Sequence, residues 1–133
     1  MAVFQNTAMM YDTLGTLFKN LLSDPGFGPK FKQENINIHF IINDPEGEIW
    51  VTPNEVICGP ANLTSQVQMS LSGDTCHLFW QKKINLPIAL AKGKVKAKGS
   101  MPKIMKLLPM LKPAYEMYPA LAKTKGLPLD EPV

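Results

Sequence analysis

The 133-residue chain contains no arginine; all fourteen of its basic side chains are lysine. Arginine is the usual reader of bases and phosphates, because its planar fork makes two parallel hydrogen bonds. Its absence argues against sequence-specific binding of nucleic acid. Cysteine is scarce too. Cys58 and Cys76 form no CxxC pair, and a chain of this length builds its core without disulfide staples. Both are expected to be reduced and buried, which makes the cytoplasm the default location. The two histidines, His39 and His77, lie far apart, and no HExxH or cysteine–histidine cluster is present, so no metal site is expected. There is no GxSxG elbow. Gly26-Phe27-Gly28 opens no helix and has no GxxG continuation, so it is not a nucleotide loop. Asp44, Glu46 and Glu48 read as solvated acids of a hairpin turn. No catalytic residue, cofactor or metal is therefore assigned. No run approaches the roughly 18 apolar residues of a membrane span. The start, MAVFQNTAMMYDT, lacks the basic and apolar regions of a secretory signal. The end, DEPV, is not a peroxisomal address.

What is present describes a globular core. The chain is 45% hydrophobic and 19% charged, which suits one folded domain over residues 1–133, with residues 126–133 expected as a loose tail. Met10, Leu14, Leu17, Phe18 and Leu21 recur at helical spacing, so residues 9–22 are expected to form a helix capped by Asn6 or Thr7. Ser23 to Pro29 reads as a loop. Residues 35–43 alternate, with Ile36, Ile38, Phe40 and Ile42 on one face. The Asp44-Pro45-Glu46-Gly47 turn returns the chain as a second strand over 48–52, and 55–58 follows as a third. Residues 63–71 alternate again, with Leu63, Val67, Met69 and Leu71 inward. Ser72-Gly73-Asp74 starts a short helix to about Lys83, with Leu78, Phe79 and Ile84 as its apolar contacts. Trp50 and Trp80 either fill the core or edge an apolar tunnel.

Charge and apolar character meet in Lys92–Lys112, KGKVKAKGSMPKIMKLLPMLK. On a strand, Lys94, Lys96 and Lys98 would face water while the small Val95 and Ala97 face inward. Ser100 caps the helix that follows, with Pro102 in its first turn. This helix carries Met101, Ile104, Met105, Leu107, Leu108, Met110 and Leu111. Short side chains on a sheet, facing soft methionines on a helix, leave room for an apolar guest. Pro109 and Pro113 interrupt the pattern. A break between Leu108 and Ala114 is expected, then a second helix from about Ala114 to Lys123 with Tyr115, Tyr118 and Leu121 on its apolar face. That helix is a candidate lid. The lysines are concentrated too. Residues 1–73 hold three against seven acids, and residues 74–133 hold eleven against four.

The stretch GKVKAKGSMPKIMKL resembles the C-terminal signature of the sterol-carrier-protein, or non-specific lipid-transfer, family. The resemblance rests on Gly93, Lys94, Val95, Lys96, Gly99, Met101, Met105, Lys106 and Leu107, and on the order of elements from about Met10 to Leu111. It implies an α+β fold: a curved, mostly antiparallel sheet of about five strands, covered on one face by helices, with an apolar tunnel between. It implies non-enzymatic binding and transfer of a fatty acid, acyl-CoA or sterol- or isoprenoid-like lipid. The expected lining is Met101, Ile104, Met105, Leu108 and Leu111 from the helix, Phe40, Trp50, Val67, Met69 and Val95 from the sheet, and Phe79 and Leu86 between them. The lysines, Lys103 and Lys106 included, would meet an acidic headgroup or an anionic membrane surface, or form an ordinary solvated face. The alternative is an interaction module, such as a homodimer formed through the Met/Tyr-rich C-terminal helices.

Overall fold

The computed structural model describes residues 3–127. Asn6 is extended, and its side chain accepts the Met9 N–H at 2.8 Å, which starts α1 (Thr7–Leu22). The face with Met10, Leu14, Leu17, Phe18 and Leu21 is buried as its spacing requires. Where the sequence pattern predicts a loop after Pro25, the structure has α2 (Gly28–Glu34). The Asp24 carboxylate accepts the Gly26 and Phe27 N–H groups at 2.8 Å each. Pro29 fits the first turn, and Asn35 closes the helix in the left-handed conformation at φ 51°. Seven residues are too few to show a period, so these punctuating residues are the only sequence signal.

Five strands follow the expected order: β1 (Ile38–Asn43), β2 (Gly47–Val51), β3 (Val56–Cys58), β4 (Val67–Ser72) and β5 (Val95–Gly99). They form one sheet in the order β3-β2-β1-β4-β5. Only the central β1–β4 pair is parallel. The fold is α+β with a mostly antiparallel sheet, as the sequence indicates. β4 is shorter than its alternation suggests. Leu63 is 42% exposed and lies in the connection to β4 rather than in the core. Cys58 is likewise exposed on edge strand β3, whereas Cys76 is buried.

Register sorts the two faces. Phe40 sits opposite Ile49 on β2 and Met69 on β4, and Val95 opposite Leu71. Ile38, Phe40, Ile42, Ile49, Val51, Val67, Met69, Leu71 and Val95 therefore share the inner face. Their neighbours His39, Trp50, Gln68, Ser70, Lys96 and Lys98 share the outer one. Lys96 and Lys98 are exposed while Val95 is buried, as period two demands. Such lysines also protect an edge strand from pairing with another chain.

Helices α3 (Gly73–Trp80), α4 (Leu86–Ala91), α5 (Met101–Met110) and α6 (Lys112–Thr124) complete the fold. Ser72 caps α3 and Asn85 caps α4, an element absent from the sequence reading because six residues show no period. The apolar side of α3 is Cys76, Phe79 and Trp80; Leu78 is only half-buried, and His77 is buried in its place. The chain breaks at Leu111, inside the expected interval. α6 is no lid. Ala114, Tyr118 and Ala122 are fully buried, and the Tyr118 hydroxyl meets His77 Nδ1 at 2.6 Å. Tyr115 is half-buried against Phe79 and Trp80. The tyrosines that a dimer through this helix would present are thus used inside the fold. Leu127, expected in the loose tail, is buried, and its N–H donates to the Ala122 carbonyl at 2.9 Å. Residues 128–133 of that tail lie outside the described residues.

Two consequences can be measured. Gly99 has φ 118°, and a Cβ there would collide with the carbonyl oxygen of Gln66, the residue just before β4. Gly99→Ala should cost more than about 2 kcal/mol in urea unfolding, since it adds a backbone clash to a disfavoured φ. A cost near zero would mean that β5 does not turn into α5 this way. Burial pushes the Cys76 thiol up from 9.0 to about 12, and pushes the Tyr118 hydroxyl beside it up as well. The folded state then holds protons that the unfolded chain has released. Stability is full below about pH 9 and falls toward about pH 12, by roughly 1.4 kcal/mol per pH unit for one such group. Cys76→Ala should flatten that alkaline loss, and an unchanged slope would assign it to other groups.

Candidate functional site

The inner face of the sheet and helices α3, α4 and α5 enclose an apolar cavity. Phe40, Val67, Met69, Phe79, Leu86, Ile104 and Leu111 line it, all of them residues that the sequence points to. Ile38, Trp80 and Leu107 line it as well. Each had a signal in the sequence: Ile38 shares the period-two face of Phe40, Trp80 follows Phe79 on its helix, and Leu107 lies three residues beyond Ile104. The floor is aromatic. Phe40 stacks on Phe18 of α1, with ring centroids 5.0 Å apart and planes 8° apart. Trp80 meets Phe18 at 5.6 Å and 74°, and Phe40 at 6.5 Å and 66°.

The cavity is shut. Its volume is about 20 Å³, room for about one water-sized sphere. The expected tunnel is therefore, in this state, a closed seam. Ile104 and Leu107 of α5 close it and are buried at 2% and 5% exposure. Leu111, at the end of that helix, is half-buried.

The other expected lining residues lie elsewhere. Trp50 is across from His39 in the β1–β2 register, so it occupies the outer face. There its ring stacks on His39 at 3.8 Å and 11°. Val95 is buried on the inner face, opposite Leu71, but does not border the cavity. Met101 and Met105 are 49% and 52% exposed. Met105 follows Ile104 directly and so points about 100° away from it; Met101 is the first residue of its helix. The Leu108 side chain lies outside the described residues.

The lining carries no ionisable group. It can remove alkyl or ring surface from water, but it offers no acid, base or nucleophile. The ionisable pair near the sheet is on the other side. His39 Nε2 meets Glu48 Oε1 at 2.8 Å on the outer face, so Glu48 is not merely a solvated turn acid. Among the described residues, no three His, Cys, Asp or Glu side chains converge to hold a metal ion. None of the described helices is long and apolar enough to cross a membrane.

No protein-family model matches the chain, and no curated protein matches it by sequence. Solved structures do match its shape. The sterol carrier protein domain 2 of Helicoverpa armigera is 19% identical with a TM-score of 0.67, over 81% of this chain and 89% of that one. Sterol carrier protein 2 of Aedes aegypti, in complex with the C16 fatty acid palmitate, is 12% identical with a TM-score of 0.55, over 79% of this chain and 93% of that one. A double mutant of the sec-alkyl sulfatase PisA1 is 21% identical with a TM-score of 0.55 over 62% of this chain, and the chain spans only 14% of its length. The match spans 89% and 93% of the two carrier domains but 14% of the sulfatase: the chain is folded as a sterol carrier protein 2 domain.

Proposed function

We propose that the protein binds and carries a lipid, without chemistry, in the cavity between the inner sheet face and α5. The candidate ligands are a fatty acid, an acyl-CoA or a sterol- or isoprenoid-like molecule. Its working place is the cytoplasm, with exchange at anionic membrane surfaces. The observation that supports this most directly is a wholly hydrophobic lining under a helix with two fully buried side chains among the described residues. The palmitate complex of the Aedes aegypti protein, which shares the fold, adds weight to an acyl ligand.

A cavity of about 20 Å³ holds no acyl chain, so it must open, and the energies allow it. Ile104 and Leu107 are the only fully buried side chains described on α5. Exposing them costs about 1.5–3 kcal/mol each. A C16 chain like the palmitate of that complex gains roughly 0.8 kcal/mol for each buried CH₂, on the order of 10 kcal/mol in all. Ligand burial exceeds the cost of lifting the helix. A mobile apolar wall also favours breadth of ligand over sharp selectivity.

The test is titration with a fluorescent fatty acid presented from water. The wild-type protein should bind it and release it to unlabelled palmitate. Val67→Phe puts a larger ring into the lined space and should weaken binding at least about tenfold, with the far-UV circular dichroism unchanged. A wild-type protein that gives no displaceable signal with fatty acid, acyl-CoA or sterol probes would refute the carrier reading.

A further inference from the structure

The residues that line the cavity supply no charge, and an ionised headgroup buried among them would have no partner. The head of an anionic lipid must therefore stay at an edge. Leu111 and Met69 are the two lining residues that are not fully buried. Met69 lies opposite Ala97 of β5, and Lys96 and Lys98, on either side of Ala97, leave by the outer face. That edge receives no cation from β5. The Leu111 edge is different. The Leu111 carbonyl accepts the Tyr115 N–H at 3.4 Å, so Tyr115 lies one helical turn further on, on the same side. Its ring packs edge-on against Phe79, with centroids 5.8 Å apart and planes 71° apart, and meets Trp80 at 6.0 Å. Both partners line the cavity. The Lys82 ammonium stands over the Tyr115 ring, 6.0 Å from its centroid.

We propose that Lys82 and Tyr115 form the headgroup site of the cavity, and that the ligand is a long-chain carboxylate, held tail inward with its head between the lysine ammonium and the tyrosine hydroxyl. This rests on the carrier reading above and selects the free acid among its candidates. The ammonium and the hydroxyl each supply a donor, and a carboxylate has one oxygen for each. Neither Lys82 Nζ nor Tyr115 Oη has an ion-pair or hydrogen-bond partner among the described residues. Lys82 is exposed and Tyr115 half-buried, so both can be reached from water. An ester or a sterol brings no charge to the ammonium and gains less from it.

One residue organises the site. Phe79 lines the cavity, packs on Tyr115 and, through its carbonyl, accepts the Lys82 N–H at 3.0 Å where α3 ends. Lys82 is in the left-handed conformation at φ 63°, which glycine adopts with less strain. The chain thus places a long cationic side chain where the backbone alone would favour none. Over the ring face an exposed ammonium is only weakly attracted, so a carboxylate can draw it away. The surrounding charge favours an anion as well. From Thr75 to Tyr115 the chain has nine lysines and no Asp or Glu, and Glu116, next along α6, points about 100° away from Tyr115. A concentration of one sign draws the opposite charge to the edge.

The experiment measures the affinities of palmitate, methyl palmitate and palmitoyl-CoA by displacement of a neutral fluorescent fatty alcohol. Wild-type protein should bind palmitate at least about tenfold more tightly than its methyl ester, the worth of one charge-assisted hydrogen bond. Lys82→Gln should erase that preference, and Tyr115→Phe should reduce it about threefold. Both variants should bind the methyl ester as the wild type does. Lys96→Gln removes the same charge from the outer face and should leave the preference intact. With palmitate labelled at its carboxyl carbon, magnetic resonance should show the bound carboxyl titrating lower in the wild type than in Lys82→Gln, because the ammonium favours the charged form. Equal wild-type binding of acid and ester, or a preference that survives Lys82→Gln, overturns the proposal and leaves the carrier reading standing. Palmitoyl-CoA that binds more tightly than palmitate, and loses that advantage in Lys82→Gln, overturns the carboxylate assignment. Wild-type protein that binds none of the three sinks the carrier reading and this proposal with it.

Discussion

The contact of Phe18, Phe40 and Trp80 holds the architecture together. Phe40 comes from the central strand, Phe18 from the first helix and Trp80 from the third, and their rings meet within 5.0 to 6.5 Å. Large aromatic side chains carry much of a core's burial energy, and offset or edge-on pairing adds to it. This cluster couples the sheet to the helical layer from one side and forms the wall of the cavity on the other. A change there would be felt in both stability and cavity shape, because close-packed interiors transmit strain rather than absorb it.

The helices around that cluster are held very unequally. α6 has three fully buried positions, the Tyr118–His77 hydrogen bond of 2.6 Å and a Lys125–Asp12 pair of 2.7 Å that ties its end to α1. α5, next in space to the cavity, has Ile104 and Leu107 as its fully buried side chains among the described residues, and a Lys106–Glu34 pair of 2.8 Å at its surface. Proline breaks do not by themselves identify a moving part. Pro113 opens a helix that is fixed in the core, whereas the helix that ends at Pro109 and Met110 is the light one. Regions with few buried apolar contacts open at the lowest free energy, so it is burial that points to α5.

Much of this was legible in the sequence. Alternation placed Phe40, Val67 and Met69 on one face, and the order of elements resembled the carrier fold that the structure shows. Short elements were not legible. α2 and α4 are shorter than two turns, so only Pro29, Asn35 and Asn85 mark them. Trp50 was misplaced because hydrophobicity outweighed register. In Glu48-Ile49-Trp50-Val51 it shares a face with Glu48, and its indole is hidden there by stacking on His39 instead of by the core. The lining implied by the resemblance includes Met101 and Met105, whereas the spacing of Ile104, Leu107 and Leu111 decides which side of the helix is buried. The closed state of the cavity has no sequence signal at all, since it depends on how neighbouring side chains fill the last few tens of Å³.

A cavity that rests shut also has a thermodynamic effect on its own affinity. When only a small fraction of molecules is competent to bind, the apparent dissociation constant rises by the inverse of that fraction. Part of the burial energy is then spent on rearrangement and never appears as tightness. The same deduction shortens residence time, because the empty form is already well packed and does not leave a large apolar groove in water. Closing a domain down to about 20 Å³ therefore sets an upper bound on how long any apolar guest is retained.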